Sequence, residues 1–195
     1  MSDNYFEIIR PGINTTFQDK GRENLYHIGI PFSGVMDNRN YLIANKLINN
    51  NPDSAVIEFA YQGPHLKYSG NKINFAITGD IIFTIKKDDT EMKGKCYESY
   101  QIDNGDEINI ISTNKSVYGY LALGGELDIK HQWNSCSINT KANIGSNNGK
   151  KLDFGQKINL RKININQDVK KINYINTKIE NIRVIKGTNF DYFSE

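Results

Sequence analysis

Closely spaced turn residues break this chain into short β-branched and aromatic runs, and that punctuation predicts an antiparallel β fold. The runs that read as strands cover 5–9, 55–60, 72–78, 81–86, 107–112, 117–123, 157–160, 162–165 and 182–185. Turn signals fall between them at Ser69-Gly70-Asn71, Gly79-Asp80, Asp103-Asn104-Gly105-Asp106 and Asn148-Gly149. The expected class is therefore mainly β, a barrel or sandwich with one or two helices. The clearest helix follows Asp37, whose carboxylate can cap it. Leu42, Ile43, Leu47 and Ile48 would share its buried face, and Asn49-Asn50-Asn51-Pro52 ends it. Residues 164–181 are polar and weakly patterned and read as a connection.

The chain has 195 residues, 38% hydrophobic and 11% aromatic, which is enough apolar material for a real core. A net charge of +2, with lysines and acids interspersed, argues against nucleic acid and against an anionic membrane surface as partners. Cys96 and Cys136 lie in no CxxC or Cys/His cluster, so no metal site is expected and both thiols are read as free in a reducing cytoplasm. The opening MSDNYFEIIRPG lacks the basic and apolar regions of a signal peptide, and no apolar run reaches the ~20 residues of a membrane span. A cytoplasmic location is the expectation.

Chemistry-bearing residues crowd the first third. Arg10-Pro11-Gly12 precedes 15–22 (TTFQDKGR), and 29–37 (GIPFSGVMD) follows. Proline fixes φ and glycine frees it, so these are shaped loops on a β scaffold, where ligands commonly bind. Gln18, Asp19, Arg22, Ser33 and Asp37 offer donors, acceptors and both charges, and an arginine grips a carboxylate or phosphate with two parallel bonds. A structural reading stands beside this one: Asp19 and Arg22 pair, while Ser33 and Asp37 cap a turn and a helix. His27 is placed in a strand, His65 at a strand start and His131 in a loop beside Trp133. Lys93 reads as an exposed loop lysine. No GxxxxGK[ST] loop and no G-x-S-x-G elbow occurs.

The strings RPGINTTFQDKGR, GIPFSGVMD and ANKLINN resemble the opening of the 5-oxoprolinase C-subunit family, also called allophanate hydrolase subunit 2 or biotin-dependent carboxyltransferase. The resemblance continues in order. Ala55-Val56-Ile57-Glu58 precedes Gly63-Pro64-His65-Leu66, then come 76–80 (AITGD), 120–128 (YLALGGELD) and Ile182-Arg183-Val184. Asn134-Ser135-Cys136-Ser137 stands where that family has Gly-Ser-Arg-Ser, and Asn50 replaces a glycine.

The resemblance implies a cyclophilin-like antiparallel β-barrel subdomain over 1–165. Residues 166–195 would then be a linker and the start of a truncated second subdomain. It also implies one component of an ATP-dependent complex that opens 5-oxo-L-proline to L-glutamate, acting with a B-subunit-like protein and with the A-subunit of 5-oxoprolinase. Two alternatives carry the same motifs. One is a non-catalytic regulator paired with a kinase inhibitor that resembles the B-subunit. The other is the carboxyltransferase module of a urea carboxylase-type system. ATP is the implied nucleotide, held by the complex, and any biotin arrives on a partner. On this resemblance Asp19, Arg22 and Asp37 are the candidates for catalysis. Gln18, Ser33, Gly34, Met36, Asn45 and Glu58 are the candidates for holding a lactam or amide substrate, or nucleotide.

Overall fold

In the computed structural model the described residues are 4–165, 168–173, 180–181 and 184–192. They form twelve strands and one α-helix. The strands are β1 (Tyr5–Arg10), β2 (Thr16–Gln18), β3 (Val56–Ala60), β4 (His65–Ser69), β5 (Ile73–Thr78) and β6 (Ile81–Lys87), continuing with β7 (Thr90–Lys93), β8 (Ser99–Ile102), β9 (Glu107–Thr113), β10 (Tyr118–Leu123), β11 (Gly125–Leu127) and β12 (Lys157–Ile163). The helix α1 spans Asn38–Leu47. The strands gather into two sheets, ordered β11-β12-β1-β4-β9-β6-β7 and β2-β3-β10-β5-β8, and every strand pair is antiparallel.

Burial explains the layering. In β1, β4, β6 and β9 the apolar residues alternate with exposed or half-exposed ones, so the first sheet turns one face to water. Every residue of β3 and β5 is buried, so the second sheet is covered on both faces. Its inner face, with Ile57, Phe59, Phe75, Ile77, Leu121 and Leu123, meets the first sheet in the main core. Its outer face, with Val56, Ala76, Tyr120 and Ala122, carries α1. Full burial of each large side chain contributes roughly 1.5–3 kcal/mol.

The helix is capped as the sequence predicts: Asp37 Oδ1 accepts the Asn40 N–H at 3.0 Å. Its buried face keeps Leu47 and Ile48, as the sequence predicts, but is otherwise different. Tyr41, Ala44, Asn45 and Leu47 point inward, Leu42 is exposed and Ile43 only half-buried. Asn45 can sit inside because its amide donates to the Ser54 carbonyl and accepts from Asn50 Nδ2, which removes the cost of burying it.

Other expectations shift. The runs 157–160 and 162–165 merge into the single strand β12. His27 lies in an exposed 3-10 turn, Tyr26–Ile28, closed by Gly29 in the left-handed region, not in a strand. Lys93 ends the edge strand β7 and is exposed. Residues 168–173 fold back on the second sheet's edge, where Ser99 N–H donates to the Lys170 carbonyl and Ile172 N–H to that of Tyr97. Of the expected strand 182–185, Ile182 and Arg183 lie outside the described residues, and Val184 and Ile185 are exposed without strand structure. Cys96 and Cys136 are both free. Among the described residues no helix is long and apolar enough to cross a membrane.

Candidate functional site

Edge strand β2 delivers the first cluster. It pairs with β3 through Thr16↔Glu58, Phe17↔Ile57 and Gln18↔Val56, and the chain then leaves the sheet at Asp19. Asp19 is buried and satisfied from several sides. Its Oδ1 accepts from Gly21 N–H at 2.9 Å, Ser135 Oγ at 2.6 Å and Ser137 Oγ at 2.6 Å, and its Oδ2 accepts from Cys136 N–H at 2.7 Å. Burial alone would raise the Asp19 pKa, but these donors outweigh it and hold the carboxyl below its ordinary value. Burial first, and then the Asp19 charge, push the Cys136 thiol up.

Arg22 and Gln18 fasten to the same 132–138 segment. Arg22 is 2% exposed; its Nε donates to the Gln132 carbonyl at 3.2 Å and its Nη2 to that of Ser137. Gln18 Nε2 donates to Thr16 Oγ1 at 3.0 Å and to the Ile138 carbonyl at 2.9 Å. No ion pair within 4.0 Å joins Asp19 to Arg22 among the described residues, so each is held by the segment and not by the other. Two buried atoms of this cluster have no hydrogen-bond partner among the described residues: Arg22 Nη1 and Gln18 Oε1. A buried donor left unpaired costs roughly 1–3 kcal/mol, so it calls for a reason.

The second cluster lies under the start of α1. One row of residues crosses the outer face of the second sheet: Thr16, Glu58, Tyr120 and Thr78 are register partners from β2 to β5. Glu58 Oε2 accepts the Met36 N–H at 2.8 Å, Tyr120 Oη accepts that of Asp37 at 2.7 Å, and Thr78 Oγ1 donates to the Asn40 carbonyl at 2.8 Å. Glu58 is 5% exposed; burial raises its pKa, hydrogen bonds from Met36 and Tyr120 partly oppose this, and the nearby Asp37 charge adds to it. Asp37 is fully engaged as the helix cap, its Oδ2 also accepting Asn40 Nδ2 at 2.6 Å.

The 32–36 loop joins the clusters. Arg22 N–H donates to the Phe32 carbonyl at 2.8 Å and Val35 N–H to that of Asp19 at 3.0 Å. Gly34 has φ +87, and a Cβ there would stand 3.0 Å from Gly21 N and from the Lys20 carbonyl, so glycine is what lets the loop lie this close. Ser33 also has a positive φ, of 58°, and its Oγ accepts from Asn139 Nδ2 at 3.4 Å. Gln18, Asp19, Arg22, Ser33, Gly34, Met36, Asp37 and Glu58 thus share one connected region. Asn45 stands apart, about 10 Å along the helix from Asn38 at ~1.5 Å per residue.

Several members of the region carry little or no signal in the sequence. Tyr120 reads as core, and its hydroxyl's role shows only once β10 is paired with β3. Ser135 and Ser137 offer two hydroxyls on alternate residues, but not the identity of their acceptor. His131 has no metal-ligand spacing to any partner in sequence, yet the fold brings its ring within 4.8 Å of a ligand atom of Asp19 and of Cys136. It also lines a cleft of about 520 Å³ between the 49–55 loop and the β11–β12 pair.

The sequence profile of the carboxyltransferase domain, subdomain A and B, matches residues 28–195. Among curated proteins the chain is 32% identical over 151 residues to a urea amidolyase of Lachancea kluyveri, covering 77% of this chain and 8% of that protein. It is 30% identical over 143 residues to the C-subunit of 5-oxoprolinase from Haemophilus influenzae, covering 73% and 45% respectively. The chain therefore spans about half the length of that 5-oxoprolinase component and a small part of the amidolyase. The crystal structure of Kluyveromyces lactis urea carboxylase is similar at a TM-score of 0.77, with 27% identity over 83% of this chain and 14% of that one. That of TTHA0988, at 22% identity, TM-score 0.79 and 89% and 63% coverage, shares the fold. Motif order, the two-sheet architecture with the capped helix α1 and the profile match agree: the chain belongs to the carboxyltransferase domain family that includes the 5-oxoprolinase C-subunit, together with the matching region of urea amidolyase.

Proposed function

We propose that this chain is a component of the 5-oxoprolinase C-subunit type, part of an ATP-dependent complex that converts 5-oxo-L-proline to L-glutamate with companions of the A and B kind. The observation that carries this reading is the unpartnered, buried Arg22 Nη1 in the loop cluster. The acceptor it lacks suits a carboxylate or phosphoryl oxygen. A lactam carbonyl is a poor electrophile; phosphorylating its oxygen with ATP activates the carbon towards water, the tetrahedral adduct expels the ring nitrogen as the protonated amine, and hydrolysis of the acyl phosphate left behind releases phosphate and the new carboxylate. A fixed guanidinium stabilises charge developing on such an oxygen. Gln18 Oε1, the unpaired acceptor nearby on the same segment, suits the ring N–H of the lactam. Glu58, its pKa raised by burial, is the carboxylate best tuned to take a proton from water, with Tyr120 and the Met36 N–H orienting it. ATP is the co-substrate. The cluster offers one cationic donor and no phosphate-cradling loop, so the triphosphate is assigned to the assembled complex.

A second reading is supported by the match to urea amidolyase: a carboxyltransferase module that receives a carboxyl group from biotin carried by a partner. Mixing the chain with its A-type and B-type companions separates the two. The first predicts glutamate formed from 5-oxoproline only with ATP and all three chains, and roughly a hundredfold loss in Arg22→Lys. An intact mixture that makes no glutamate overturns it, and ATP- and bicarbonate-dependent consumption of urea when the chain is instead mixed with a biotin-carrying biotin carboxylase favours the second.

A further inference from the structure

We propose that Asp19, His131 and Cys136 bind a divalent cation of the zinc class, with one coordination position open towards the cleft that His131 lines. Geometry and donor chemistry carry this site, independently of the oxoprolinase reading. One carboxylate oxygen, one imidazole nitrogen and one thiol sulfur lie within 4.8 Å of one another. Metal bonds of about 2.0–2.3 Å set tetrahedral ligands roughly 3.5 Å apart, so a small inward movement closes the set. That movement falls to His131, an exposed loop residue, while Asp19 and Cys136 are fixed in the interior.

The donor set discriminates among cations. Sulfur, nitrogen and one carboxylate oxygen suit zinc and its neighbours and do not meet the all-oxygen preferences of magnesium and calcium. Three protein ligands with an open fourth position is the pattern of zinc sites that meet a substrate or water. The outer contacts already orient the carboxylate. Asp19 Oδ1 is occupied by Gly21, Ser135 and Ser137, while Oδ2 has one backbone donor, Cys136 N–H, and retains lone-pair capacity for an ion. Binding forms S–M, N–M and O–M bonds, breaks the Cys136 S–H bond and releases its proton to solvent, with no electron transferred. His131 lines the cleft together with Ile129 and Leu127, so the ligand that moves is also the one that faces solvent.

The experiment uses the 195-residue chain, stripped with a chelator and titrated with cobalt(II), read by the thiolate-to-cobalt charge-transfer band and by displacement with zinc. Expected are one cobalt per chain, loss of the band in Cys136→Ala, its retention in Cys96→Ala, and binding weakened roughly tenfold or more in His131→Ala. His131 is exposed, so that variant decides the matter even if Cys136→Ala does not fold. Absence of the band in the parent chain, its survival in Cys136→Ala, or unchanged affinity in His131→Ala overturns the proposal.

Discussion

Ser137 and Asp19 grip each other twice: the Ser137 hydroxyl donates to Asp19 Oδ1 at 2.6 Å and accepts the Asp19 backbone N–H at 3.0 Å. Through that reciprocal pair, the 132–138 segment becomes the wall against which the whole loop cluster is set. Replacing Asp19 by alanine strands the donors of Ser135, Ser137, Gly21 and Cys136 in a buried place. We expect Asp19→Ala to lose about 3 kcal/mol in urea denaturation, against under ~1 kcal/mol for Asp53→Ala, whose pairing with Lys20 is exposed.

Gly145 tests the same wall without removing a polar group. It has φ +105, and a Cβ there would stand 2.0 Å from the Ser137 carbonyl oxygen and 3.0 Å from Arg22 Nη2. Gly145→Ala should therefore cost about 2 kcal/mol or more and shift the amide and side-chain resonances of Arg22 and Ser137, whereas Gly155→Ala, with nothing within 4 Å of its Cβ, should cost only the smaller backbone strain.

Glu58 makes stability depend on pH. Burial, with Asp37 adding to it, raises its folded pKa above the ordinary value of 4.5, despite the opposing hydrogen bonds from Met36 and Tyr120. The folded chain thus binds this proton more tightly than the unfolded one. The contribution is fully present below 4.5 and is lost as pH rises through the folded pKa. Glu58→Gln should flatten that part of the profile, measured as the urea midpoint across the window above 4.5, and the two profiles should diverge with rising pH.

Asn50 ties the end of α1 to the β10–β11 join. Its Nδ2 donates to Asn45 Oδ1 at 3.2 Å and to the Leu123 carbonyl at 2.8 Å, and its Oδ1 accepts the Gly125 N–H at 3.1 Å. Asn50→Asp keeps the shape, retains the last bond and turns the other two into opposed acceptors. A loss of about 2 kcal/mol is expected, and the Tm should fall accordingly.

The parts of the fold legible in the sequence are those where local and long-range preferences agree. The β5–β6 corner is one: β-branched runs flank Gly79-Asp80, and both strands form as read, β5 in the second sheet and β6 in the first. The Asp37 cap is another, since a cap needs only its own first turn. Strands β2, β7 and β8 leave little trace because they are short or polar and exist through their neighbours' backbone groups. The helix face departs from its apolar pattern at Leu42 because a satisfied asparagine, Asn45, takes an interior position. In the site, loop density points to Gln18, Asp19 and Arg22. Nothing local could show that their partners would be Gln132, Ser135, Ser137 and Ile138, on a segment far along the chain.

Strand β1 lies between β12 and β4, pairing Phe6 with Ile158 on one side and with Tyr68 on the other. During synthesis the first strand emerges long before its second neighbour, so its Tyr5–Glu7 edge waits unpaired while more than a hundred further residues are added. Translation therefore passes through a stage in which a nearly complete sandwich carries an open seam. The nascent chain is most exposed to wrong strand partners in the interval before residues 157–163 leave the ribosome.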